Sequence, residues 1–211
     1  EILQEFVRDI ETFPLADAAP EFEQRGLLYY VPPPNALSNE DFEADLTGWT
    51  EVITASGSTL WVRTPYAPSA GLPGACKVTM TGAGAIGQVV QRMQGVASVP
   101  TDVWSAEAFV RVDALTNCHA ELVLEFRDAV PTVLAYHNVN QAAVTSGFVQ
   151  LKVENKTAPA GTTEMNLVVR LYAEQIGGTG TSYFDRGRAE LGQTTVSARG
   201  TRILCGEWKA S

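Results

Sequence analysis

Three groups of residues could do chemistry. Gly82-Ala83-Gly84-Ala85-Ile86-Gly87 spells G-x-G-x-x-G, in which glycines let a pyrophosphate approach a helix N-terminus. The next stretch, Gln88 to Met93, is too short before Gly95 and Pro100 to form the crossover helix that such a site requires. A hairpin loop is the expectation there. The second group is acid–base. There are only two histidines, His119 and His137, with no G-x-S-x-G elbow and no H-E-x-x-H pair. Glu121 and Glu125 share one strand face, but about 13 Å apart along the strand. Glycosidase carboxylates stand roughly 5–9.5 Å apart. Solvated face positions are therefore expected for both, a loop hydrogen bond for His137, and no catalytic residue. The third group combines aromatic rings with polar side chains. Trp61, Tyr66 and Tyr136 could serve as platforms, and Gln150, Lys152, Arg170, Tyr172, Glu121 and Glu125 could line one sheet face. Saccharide C–H faces pack on aromatic rings, and hydroxyls pair with amides and charges.

The elements that must position these residues are strands. From Trp49 onward the hydrophobic period is two. Glu51–Thr54 and Thr59–Arg63 read as a strand pair. Further strands are expected at 76–81, 88–93, 104–112, 121–126, 148–153, 165–172, 182–185 and 188–191. In Met165 to Tyr172, Leu167, Val169 and Leu171 point inward, and Asn166, Arg170 and Tyr172 outward. Short strands separated by Gly, Pro, Ser and Asn turns predict an all-β fold, an antiparallel sandwich or barrel. Residues 1–35 differ. Ile2, Leu3, Phe6, Val7, Ile10 and Phe13 recur at helical spacing until Pro14, and Leu27 to Val31 then lead into Pro32–Pro34. This helical arm is too small to bury a core of its own. It packs either on its own domain or on other protein subunits. The tail, 194–211, carries one more apolar stretch, Ile203-Leu204-Cys205.

Composition excludes several classes. The 211 residues carry 24 Asp and Glu against 15 Lys and Arg, a formal charge of -9. Nucleic acid is a poor partner for such a surface. No apolar run approaches the roughly 20 residues of a membrane span, so no membrane insertion is expected. Cys76, Cys118 and Cys205 are widely spaced, which leaves one disulfide plus a free thiol, or three thiols, equally open.

Asn39-Glu40-Asp41-Phe42-Glu43, followed by Leu46-Thr47-Gly48-Trp49, resembles the opening of the galactose-binding-like jelly-roll carbohydrate-binding modules. Cys76–Thr79, Gln88–Gln91, Trp104–Arg111, Ala158–Thr162 and Tyr183-Phe184-Asp185 resemble later family segments in the same order. The resemblance covers residues 36–193 and implies an antiparallel jelly-roll β-sandwich, without catalysis, that binds a glycan or polysaccharide. It also implies a structural calcium ion held by Glu43 and Asp185, hard oxygen ligands of the type calcium prefers. This chain has Arg186 where relatives often carry a second acid, and no aromatic in Gly82 to Gly87. Two functions follow as expectations. One is a glycan-binding or adhesion module. The other is a structural subunit of a large assembly such as a phage virion, docking through residues 1–35. Both place the protein outside cells or on a virion surface.

Overall fold

The computed structural model describes residues 27–31, 35–42, 44–63, 74–192 and 201–205. Glu43, Tyr66 and the expected helix of residues 1–13 lie outside the described residues. The chain divides into two units, Glu1–Pro32 with Gly200–Ser211, and Pro33–Arg199. In the first, β1 (Leu27–Val31) pairs antiparallel with β12 (Thr201–Cys205), Leu27 opposite Cys205 and Val31 opposite Thr201. The arm and the tail, read separately in the sequence, thus each contribute one strand to a ribbon.

The second unit is a sandwich of two five-stranded antiparallel sheets, with no helix among its described residues. The first sheet has the order β2 (Thr50–Ile53), β5 (Val89–Ala97), β10 (Glu164–Ala173), β7 (Cys118–Arg127), β8 (Val133–Gln141). The second has the order β3 (Ser56–Arg63), β4 (Gly74–Gly82), β11 (Thr179–Leu191), β6 (Val103–Thr116), β9 (Val149–Thr157). Alternation explains the core. From β10 it takes Met165, Leu167, Val169 and Leu171, from β7 Leu122, Leu124 and Phe126, and from β6 Ala106, Ala108, Val110 and Val112.

Two sequence expectations change here. β2 and β3 do not pair; β2 joins β5 in one sheet and β3 joins β4 in the other. The glycine stretch 82–87 likewise links β4 to β5 across the two sheets and is not a hairpin.

The segment from Asn35 to Trp49 is laced onto β11. Asn35 Nδ2 donates to Gly187 O (3.1 Å), Ala36 N to Ala189 O (2.9 Å), and Gly187 N to Glu40 O (2.8 Å). Phe42 and Trp49 are both core residues, their rings 4.9 Å apart. Gly48 has φ of 87°, and a Cβ there would lie 2.7 Å from Gln94 Nε2 and 2.9 Å from Ser38 Oγ. Only glycine fits both that backbone and that space.

Cys76 and Cys118 are buried free thiols. Burial pushes the Cys76 thiol up to about 12, so it stays protonated and unreactive at neutral pH.

Candidate functional site

The outer face of the first sheet collects most of the chemistry-bearing residues. Because Leu122, Leu124, Leu167 and Val169 point into the core, their strand neighbours must point out. Registration then sets these neighbours in cross-strand rows. Tyr172 stands opposite His119, Arg170 between Gln91 and Glu121, and Val168 between Met93 and Val123. Asn166 stands between Gly95 and Glu125. β8 extends these rows, with Asn140 opposite Glu121, Asn138 opposite Val123 and Tyr136 opposite Glu125. Met93, Val123 and Val168 form a small buried apolar cluster between the polar rows.

The polar groups of this outward face are shielded. Asn166 is 1% exposed, Glu121 3%, Gln91 and His119 6% each, and Glu125 7%. Outward carboxylates normally stand in water; here they are held by other side chains. Glu121 accepts hydrogen bonds from Arg170 Nε (2.6 Å) and Asn138 Nδ2 (2.5 Å), and lies 3.0 Å from His119 Nε2. His119 Nδ1 meets Glu174 at 2.8 Å. The Tyr172 ring stacks on His119 (5.3 Å between centroids), and Arg170 lies 5.1 Å from the Tyr172 ring centre. Arg127 pairs with Glu125.

Burial pushes the Glu121 carboxyl up, but the hydrogen bond from His119 and the charge of Arg170 outweigh it, and the group ends below its ordinary range. For His119 the hydrogen bond to Glu121 raises the imidazole, burial opposes it, Glu174 adds to the rise, and the net direction is up from 6.5. The sign of the linkage follows. A histidine raised on folding contributes stability that is fully present below pH 6.5 and lost as pH rises through its folded value. Glu121 contributes above its unfolded value and loses that contribution in acid. The melting temperature of the wild type is therefore expected to fall between pH 6 and pH 8. His119→Gln should flatten that slope, as scanning calorimetry across the range would show. An unchanged slope in the variant would rule His119 out as its source.

The sequence-predicted residues separate. Arg170, Tyr172 and Tyr136 come together on this face, with Tyr136 60% exposed. Gln150 and Lys152 do not join them. They lie on the outer face of the second sheet, where Gln150 Nε2 donates to Glu107 Oε2 (2.6 Å). Trp61 stands opposite Cys76 on the inner side of β3, packed against the core, and its Nε1 donates to Phe42 O (2.5 Å). Glu121 and Glu125, expected in solvent, are shielded and ion-paired. His137, expected in a loop, is a β8 residue edge-on to Phe126 (6.3 Å). Sequence reasoning missed His119, Gln91, Asn138 and all of β8. The signal available was the polar run Tyr136, Asn138, Asn140 at period two.

Of the implied calcium ligands, Asp185 is fully buried and accepts the Arg186 N–H (2.7 Å). The Arg186 side chain itself lies 3.7 Å from Asp41. Among the described residues no group of three His, Cys, Asp or Glu could hold a metal ion, and Glu43 lies outside them.

No family model matches the chain, and no curated protein is similar to it. Solved structures are. The enzymatically active domain of bacteriophage CBA120 tailspike protein 4 matches with a TM-score of 0.56 at 12% identity, over 74% of this chain and 21% of that one. An arabinose-bound α-L-arabinofuranosidase matches with a TM-score of 0.59 at 18% identity, over 79% of this chain and 27% of that one. This chain therefore spans about a fifth to a quarter of those two proteins. It spans nearly all of a smaller one. The C-terminal family 22 carbohydrate-binding module of Clostridium thermocellum Xyn10B has a TM-score of 0.53 at 15% identity, over 77% of this chain and 99% of that one. Most of the similar structures are such modules. What this chain shares with them is the fold, the jelly-roll β-sandwich implied by the resemblance over residues 36–193.

Proposed function

We propose that this protein is a non-catalytic glycan-binding module, and that the outer face of the first sheet carries the saccharide. One observation supports this most directly: polar groups on an outward face are fixed in advance by hydrogen bonds and ion pairs. Preorganised donors and acceptors lose little freedom on binding. Tyr136 and Tyr172 offer rings, Arg170 and Asn138 offer hydrogen-bond donors beside them, and Glu121 holds those two donors in place. The distance along β10 from Arg170 to Asn166 is about 13 Å, a span suited to an oligosaccharide. Sugar complexes among the similar structures add support: a family 61 module holds β-1,4-galactotriose, and the joined CBM22-1 and GH10 modules of a xylanase hold xylohexaose.

A glycan array followed by isothermal titration, with and without calcium, tests the reading. Binding that is lost in Tyr136→Ala and in Tyr172→Ala is the expected result. No binding to any glycan, in either condition, would defeat it.

A second reading is favoured by the β1–β12 ribbon. A two-stranded sheet is marginal by itself in water, so this unit is suited to completion by other protein subunits, as in a virion decoration, collar or fibre protein. Either reading places the module outside cells or on a virion surface, and the two are compatible. Light scattering should then give an oligomer for the full chain and a monomer for residues 33–199. A monomeric full chain would sink this second reading.

A further inference from the structure

Asn166 has no counterpart for its chemistry within the sheet. It is 1% exposed, and its Nδ2 has no hydrogen-bond partner among the described residues. Its neighbours Met165 and Leu167 are core residues, and Val168 belongs to the outer apolar cluster, so the amide is aimed at the outer face. A shielded amide donor ordinarily has an acceptor. Across the strands stand Gly95 and Glu125. Gly95 is exposed, and a Cβ there would run into the Glu164 carboxylate and lie 3.0 Å from Asn166 Oδ1. The missing side chain at Gly95 thus lets the Glu164 carboxylate and the Asn166 amide reach over the β5 backbone on this face. The row ends, beyond Glu125, at the exposed Tyr136 ring.

We infer that Gly95, Asn166, Glu125 and Tyr136 form a subsite for one uncharged sugar residue, and that this subsite makes the face discriminate against acidic saccharides. The inference rests on the glycan-binding reading above and adds a ligand class to it. Asn166 Nδ2 can only donate, so it needs an oxygen lone pair. The carboxylate of Glu164 only accepts, so it takes an O–H donor. A sugar hydroxyl supplies both. The carboxylate group of a uronate, or a sulfate group, supplies acceptors alone and stands against the Glu164 carboxylate, with Arg127 already engaged by Glu125. Such like-charge juxtaposition excludes a ligand more effectively than added attraction selects one.

Asn166→Leu removes the donor with little change in volume. The test is isothermal titration of wild type, Asn166→Leu and Arg170→Ala with neutral xylo- and galacto-oligosaccharides and with an oligogalacturonide, beside thermal unfolding. The wild type is expected to bind a neutral oligosaccharide at least about tenfold more tightly than the oligogalacturonide. Asn166→Leu should lose about tenfold or more of that affinity while its melting temperature holds or rises, because no shielded donor is left unpaired. A lower melting temperature with unchanged affinity would make Asn166 structural and overturn the inference. So would equal binding of the oligogalacturonide. If Arg170→Ala loses binding and Asn166→Leu does not, the subsite fails and the glycan reading stands. If the wild type binds none of these ligands or any other glycan, both fail.

Discussion

Phe42→Ala is expected to destabilise the sandwich by about 3–5 kcal/mol, a fall in melting temperature on the order of 10 °C for a domain of this size. The ring is fully buried and lies 4.9 Å from that of Trp49. Its backbone sits at a φ of 48°, an uncommon conformation for a bulky residue. The buried ring holds it there. The Phe42 carbonyl accepts the Trp61 indole N–H at 2.5 Å, so loss of the ring also loosens the anchor of β3. Phe42→Leu keeps part of the packing and should cost clearly less. Chemical denaturation of both variants checks the order. Equal midpoints for wild type and Phe42→Ala would show that the opening segment is not part of the cooperative unit.

Arg170→Ala is expected to act on stability and binding together. It removes one partner from Glu121, whose side chain is 4% exposed, and leaves a shielded carboxylate held by His119 and Asn138 alone. Breaking a shielded pair from one side costs about 3 kcal/mol. Replacing both partners, as in Arg170→Met with Glu121→Leu, should recover much of that stability but none of the ligand affinity. A double variant that restores neither would show that the surrounding packing, and not the charge left behind, sets the cost. A double variant that still binds glycan would separate these two residues from recognition.

These expectations also show how far the sequence reaches. Period-two alternation put Leu167, Val169 and Leu171 inside and Asn166, Arg170 and Tyr172 outside, as the structure has them. Isolated aromatics among turn formers have few places to go but a core, and Phe42 and Trp49 are buried there. Alternation fixes parity within a strand, however, and not the sheet to which a strand belongs. Gln150 has the parity of Arg170 in its own strand, yet β9 borders the second sheet and β10 lies at the centre of the first. Trp61 illustrates the same gap. On a sandwich edge its large ring turns inward opposite Cys76, while Leu60 beside it is exposed. The shielding of Glu121 and Glu125 was illegible for a related reason. It depends on Arg170, Asn138 and His119, and two of these three stand on other strands. β8 escaped because Asn138 and Asn140 on its outward side are polar and its inward residues include His137.

The central strands of both sheets, β10 and β11, are the last two of the sandwich in chain order. While the chain is being synthesised, β5 and β7 have no shared neighbour until residue 173 has emerged, and β4 and β6 none until 191. Every earlier strand must wait with an open edge. Such late, non-local closure slows folding and exposes strand edges to association. A chain interrupted before Glu164 would contain eight of the ten sandwich strands and neither finished sheet.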